Sequence, residues 1–159
     1  MNSETRLAAL EAQLQELIDR QAIFDCIKRN ARGNDRFDVD LVTSSYHADG
    51  LHELGENQIS GRAYGEHANR AHAALFDANL HNVTTHSCEI DGLIAHAESY
   101  SLGVFLDKGG KTGRILAGRY LDRLEKRDGE WRIVLRRATV EIALEGSAIL
   151  PNGKPLPGS

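Results

Sequence analysis

Seven histidines in a chain of 159 residues are the first candidates for chemistry: His47, His52, His67, His72, His81, His86 and His96. The pairs 47/52, 67/72 and 81/86 each stand five apart. Five is a poor spacing for two ligands of one metal. On a helix three or four is needed, and on a strand five sends the side chains to opposite faces. A metal would have to be gathered across elements, so the sequence is read as holding none. No G-x-S-x-G elbow, phosphate loop or G-x-G-x-x-G turn after a strand is present. Cys26 and Cys88 lack zinc-type spacing and read as small buried thiols.

Polar residues stand where an interior strand should be apolar. The run Leu80-His81-Asn82-Val83-Thr84-Thr85-His86 has few purely apolar side chains. Burying polar groups is costly unless they are hydrogen-bonded, so a polar-lined cavity accounts for such a strand better than a solid core. Arg136 and Arg137 interrupt an otherwise apolar segment. One of them is expected to point inward, and an inward guanidinium requires a carboxylate or an anionic ligand. Asp35, at the end of a helical stretch, has two readings: a functional carboxylate or a cap for the next helix.

The elements that must position these residues follow from periodicity. Leu7, Leu10, Leu14, Leu17, Ile18, Ile23, Phe24, Ile27 and Ala31 form one stripe at spacings of three and four, a long amphipathic helix. Gly33 and Asn34 are expected to end it. A short helix over 37–46, a turn at His47-Ala48-Asp49-Gly50 and a brief strand and loop over 51–60 follow. Tyr64, Ala68, Ala71 and Leu75 mark a further helix opening after Gly61. Four strands are then predicted, about 80–90, 95–106, 113–126 and 131–143. Turns at Asp91-Gly92, Lys108-Gly109-Gly110 and Asp128-Gly129 divide them. Trp131, Ile133 and Leu135 alternate onto one face of the last strand, Val134, Ala138, Val140 and Ile142 onto the other. Helices first and a strand meander afterwards predict an α+β domain over residues 1–145, with an irregular tail over 146–159.

A hydrophobic content of 41% and a charged content of 26% suit one globular domain. A formal net charge of −4 argues against a nucleic-acid surface. No apolar run has the length that spans a bilayer, and no basic start precedes an apolar block. The expected location is cytoplasmic.

The order of elements and several short motifs resemble the SnoaL-like branch of the nuclear transport factor 2-like superfamily. These are Gln21–Asn30 running into Gly33-Asn34-Asp35, Tyr46-His47-Ala48-Asp49, Leu80-His81-Asn82, Gly118-Arg119-Tyr120-Leu121-Asp122-Arg123 and Asp128-Gly129-Glu130-Trp131-Arg132. The resemblance implies a cone-like barrel of strongly curved mixed sheet packed on N-terminal helices around one pocket, a nuclear transport factor 2-like or cystatin-like fold. Within the branch the pattern is similar to scytalone dehydratase, bile-acid 7α-dehydratase and hexachlorocyclohexane dehydrochlorinase. By that likeness Asp35 and His81 fall on the positions of an Asp–His general base. Arg136 falls on a pocket arginine, and His52 lies near an aromatic pocket position. Asn30 stands where the dehydrochlorinase has a lysine. The implied substrate-binding residues are Tyr46, His52, Asn30, Ser101 and Tyr120. The implied activity is a cofactor-independent lyase removing water, halide or formaldehyde from a small hydrophobic cyclic or aromatic compound. An isomerase, a polyketide-cyclase-like enzyme and a non-catalytic ligand-binding domain are the alternatives. The same likeness implies a homo-oligomer, a trimer before a dimer.

Overall fold

The computed structural model describes residues 2–148. Helix α1 runs Ser3–Asp35, opened by the Asn2 side chain, which accepts from the Thr5 amide at 2.8 Å. Only its C-terminal part is packed: Ile23, Cys26, Ile27, Asn30, Ala31, Gly33 and Asn34 are buried. Leu7, Leu10, Leu14, Leu17 and Ile18 are each more than half exposed. The helix does not end at Gly33 and Asn34. Gly33 lies inside it because a Cβ there would sit 2.7 Å from Val42 Cγ2, so the glycine admits the next helix. That helix, α2 (Val39–Thr43), is shorter than expected and is capped by Asp38, whose carboxylate accepts from the Leu41 amide at 2.8 Å.

The expected turn at 47–50 is instead the start of strand β1 (Tyr46–Leu54), which pairs in parallel with β6 (Glu130–Ala138) across a register shift between Tyr46 and Leu51. Gly50 is required by close approach, since a Cβ would lie 2.6 Å from the Ile133 carbonyl oxygen. A hairpin through Gly55 leads to β2 (Asn57–Ser60), and Ser60 caps α3 (Gly61–Leu75). The strands β3 (Phe76–Asp91), β4 (Ile94–Asp107) and β5 (Thr112–Arg127) are long, and β3 begins earlier than predicted. The turns foreseen between them are present. Asp128 and Gly129, with φ of 53° and 83°, make the tight hairpin that Asp-Gly favours.

The sheet order is β2-β1-β6-β5-β4-β3, antiparallel except for β1 with β6. The predicted strand over 131–143 is two strands, because β7 (Ile142–Ser147) leaves β6 and pairs with the other half of β5. Gly118 permits the crossover, where a Cβ would fall 1.9 Å from the Thr139 carbonyl oxygen. β7 carries regular structure two residues past the expected domain boundary at 145, and the rest of the predicted tail, 149–159, lies outside the described residues. The architecture is α+β, helices against one large curved mixed sheet. It is an open cone rather than a closed barrel, with β2, β3 and β7 at its edges. The core of Ile23, Ile27, Val42, Tyr46, Leu124, Trp131 and Ile133 lies between α1, α2 and the sheet. Trp131 Nε1 donates to Asp19 Oδ1 at 2.8 Å, which ties α1 to β6.

Candidate active site

The C-terminal end of α1 delivers Asp35 to the first third of β3. Its Oδ1 and Oδ2 accept from the His81 backbone amide at 2.9 and 3.0 Å, and Oδ1 lies 2.6 Å from His81 Nδ1. Asn79 Nδ2 donates to the Asn34 carbonyl at 3.0 Å beside it, so helix end and strand are clamped together. Asp38, not Asp35, caps α2, which removes the capping reading of Asp35. A carboxylate on Nδ1 fixes the tautomer that carries its proton there. His81 Nε2 is left as the basic nitrogen, without a hydrogen-bond partner among the described residues, and the ring lines a cavity.

That cavity measures about 260 Å³, just below the ~300–1,000 Å³ of common small-molecule sites. Helix α3 contributes Tyr64 and His72, β1 gives His52, β4 gives Ser101 and Phe105, and β5 gives Tyr120. Gly103 stands opposite His81, and the absence of a Cβ leaves room for the Phe105 ring, edge-on to His81 at 5.4 Å. The ring of His72 lies 5.9 Å from that of His81, and its buried Nδ1 has no partner among the described residues. Burial, helped by the charge His81 can carry and opposed by Asp35, lowers the His72 pKa to about 4. Burial and the neighbouring Arg136 push His52 down to about 3. Both are neutral near pH 7.

The structure brings His81, His52, Ser101 and Tyr120 to the wall of the cavity, with Asp35 bonded to His81. Tyr46 stands one layer behind, with its hydroxyl 2.9 Å from His52 Nδ1. Asn30 and Arg136 do not line the cavity, contrary to expectation. Arg136 is wholly buried, its Nε and Nη2 donating to Asp122 at 2.7 Å each and its Nη1 to Asn30 Oδ1 at 2.8 Å. Burial alone would depress the guanidinium pKa, but the Asp122 charge and hydrogen bonds outweigh it and raise it. The negative charge that Arg136 neutralises is Asp122, and its guanidinium carbon lies 4.0 Å from the centre of the Tyr120 ring in the cavity wall.

Sequence reasoning missed Tyr64, His72, Phe105 and Asp122. Tyr64 enters the sequence reading only as part of a helix stripe, His72 only as one of a histidine pair with poor metal spacing, and Asp122 only as part of a C-terminal signature. Register hid the pairing of Asp122 with Arg136. Counted from the Asp128-Gly129 turn, Leu124 faces Ile133, but one extra residue then makes Asp122 face Arg136. The extra residue also brings Val134 and Arg136 inward after Trp131 and Ile133. A second bulge, with Thr85 at φ 44° and a register shift between Thr84 and Ser87, turns His86 inward like His81. The rule that a spacing of five means opposite faces therefore fails here. His86 stacks on Phe24 of α1 and hydrogen-bonds Ser99 Oγ at 2.8 Å, away from the cavity.

Comparison with known proteins agrees with this architecture. Hexachlorocyclohexane dehydrochlorinase LinA type 2 superposes with a TM-score of 0.80 at 20% identity, over 89% of this chain and 99% of that one. A scytalone dehydratase candidate from Novosphingobium aromaticivorans gives 0.74 at 17%, over 89% and 97%. A variant of Rv3472, a Mycobacterium tuberculosis protein of unknown function, gives 0.72 at 28%, over 80% and 74%. No curated protein matches the chain in sequence at a significant level. The model of the SnoaL-like domain matches residues 15–137, and the chain belongs to the SnoaL-like domain family.

Proposed function

We propose that the chain is a cofactor-independent lyase in which His81, oriented by Asp35, takes a proton from a small hydrophobic cyclic or aromatic substrate. The observation that carries this reading is the 2.6 Å Nδ1–Oδ1 contact, with the opposite ring nitrogen on the cavity. The name of the LinA neighbour, a dehydrochlorinase, supports elimination as the reaction type.

The steps balance without an oxidant. His81 Nε2 removes a proton from carbon next to an activated centre, and Asp35 stabilises the imidazolium that forms. The released electron pair becomes the new double bond, and the leaving group departs with its own bonding pair. The imidazolium then returns the proton, to hydroxide as water in a dehydration. Where the same base removes a hydroxyl proton instead, the oxygen forms the carbonyl of formaldehyde, the adjacent carbon–carbon bond breaks, and the carbon left with the electron pair takes the proton back from the imidazolium. Arg136 acts at one remove, as a buried cation behind Tyr120.

A screen of small cyclic and aromatic alcohols for loss of water or formaldehyde tests the reading. Turnover that requires His81 is the expected outcome, and equal turnover in His81→Ala overturns it.

The proposal includes a homo-oligomer, a trimer before a dimer. Leu80, Val104, Ile115 and Leu144 are directly opposed across four strands and all exposed, an apolar row that a second copy would cover. Light scattering that gives a monomer mass at micromolar concentration overturns it. Among the described residues no helix is long and apolar enough to cross a membrane.

A further inference from the structure

Helix α1 carries two faces, not one continuous stripe. Leu7, Leu10, Leu14, Leu17 and Ile18 recur at three and four, and the buried Ile23, Ile27 and Asn30 do the same. Between Ile18 and Ile23 the step is five, which at about 100° per residue turns the face by roughly 140°. The second face is packed on the sheet, and Asp19 anchors its start by accepting from Trp131 Nε1 at 2.8 Å and Lys126 Nζ at 2.7 Å. The first face therefore points away from the protein's own body. Its five side chains are 51–65% exposed, and every residue from 2 to 18 is exposed. The N-terminal arm of α1, up to Ile18, stands free over about 24 Å. A lone helix of that length is marginal in water, and what stabilises such a helix is packing of its apolar face.

The spacing and the charges say what packs there. Leu7 and Leu14 take position a of a heptad, and Leu10 and Leu17 take position d. Arg6 then falls at g and Glu11 at e. In a parallel, in-register pair of such helices, each g residue meets the e residue five positions further along the other helix. Arg6 meets the second copy's Glu11, twice by symmetry, and Ile18 adds apolar surface at e beside Gln13 at g. An antiparallel pair with its leucine layers matched sets Arg6 against the second copy's Arg20 and Glu11 against the second copy's Glu11, like charges in both cases.

We propose that the free arm of α1 zips in parallel and in register with the arm of a second copy of this chain. The face that holds the sheet is turned well away from the leucine seam, so the two folded bodies lie on the outer sides of the pair and do not collide. The zipper is a surface separate from the apolar row of the sheet, and it is independent of the lyase reading, so each can fail alone.

Sedimentation and thermal melting of the full-length chain test the zipper. Leu10→Glu/Leu14→Glu is expected to keep the melting transition and to halve the mass at micromolar concentration, whereas Val104→Glu, in the sheet row, is expected to leave the chain still paired. An unchanged mass in the folded double variant, or a monomeric Val104→Glu, overturns the proposal. Crosslinking reads the register in chains that keep the native arm almost whole. In a Cys88→Ser background, Leu10→Cys at d is expected to give a disulfide-linked dimer on mild oxidation, and Ala12→Cys on the far side of the arm is not. No dimer from Leu10→Cys, or equal dimer from both, overturns in-register pairing. Arg6→Glu and Glu11→Arg are each expected to weaken the pair about tenfold, and the two together to restore it. Tighter association in Arg6→Glu alone would mean antiparallel arms and overturn the parallel pair.

Discussion

The molecule contains two pairs of a carboxylate with a nitrogen side chain, at similar distances and with opposite consequence. Asp122 and Arg136 meet through two 2.7 Å bonds between β5 and β6, and Asn30 takes a third donor. Both side chains are essentially inaccessible, 0% and 1% exposed. Asp35 and His81 meet at 2.6 Å between α1 and β3, with 14% and 9% exposure and one ring nitrogen unspent. A pair with its donors engaged inside protein can only hold the fold, whereas a pair with a free lone pair on a cavity can do chemistry. Residue type does not separate the two cases. What remains unsatisfied does.

The largest effect that would sharpen this contrast is expected at His81. His81→Ala should lower turnover roughly 10²–10⁴-fold, and Asp35→Asn should do nearly as much, both with the melting transition largely kept. If the two act as one unit, the double variant is little worse than the worse single one. Turnover and melting measured on the same preparations check this, and folded His81→Ala with native turnover breaks the contrast. Asp122→Asn should behave in the opposite way. Leaving Arg136 charged and half-paired should cost about 3–5 kcal/mol of stability in chemical denaturation, with turnover per folded molecule changed far less. Equal losses of turnover in Asp122→Asn and Asp35→Asn would show that the two pairs are not distinct in role.

A smaller effect concerns the two neutral histidines. Unfolded histidines take their protons near pH 6.5, native His72 only near 4 and native His52 near 3. Between those values the unfolded state binds more protons, so stability is full above about pH 7 and falls as the pH drops toward 4. Denaturation midpoints over that range should steepen by about one proton for each residue, and His72→Gln and His52→Gln should each flatten the slope. An unchanged slope in both variants would place neither in a sealed wall. The smallest expected effect is none at all: turnover should survive chelation by EDTA. Loss in EDTA with recovery on zinc would overturn a site built on Asp35 and His81 alone.

Most of the fold was legible because apolar spacing and turn residues act locally. The helix periods, the four strand regions and the Asp-Gly turns came directly from them. The exceptions share a cause. His47-Ala48-Asp49-Gly50 has the composition of a turn, but its extended form is set by β6 lying against it, a contact distant in sequence. Gly33 carries a helix-ending residue type, yet it serves the approach of Val42. Asp35 and His81 were joined as a pair only through family likeness, since a separation of 46 positions leaves no local trace of their contact. Arg136 was rightly expected to point inward and wrongly expected to face the cavity. Its carboxylate partner is chosen by a one-residue bulge that no alternation pattern announces.

That kind of bulge has a further consequence for the gene. In a strand only the parity of residue number decides which way a side chain faces, and Thr85 is the odd residue that resets parity midway along β3. Loss of that single codon would only straighten the strand: Thr84 would still face Tyr100, Ser87 would still face Glu98, and His86, Cys88 and Ile90 would keep their inward faces. A two-residue deletion at the same place would instead turn His86, Cys88 and Ile90 outward and press Ser87 and Glu89 against α1. Tolerance to deletion at this bulge is therefore expected to favour odd lengths over even ones, a frame rule written in geometry.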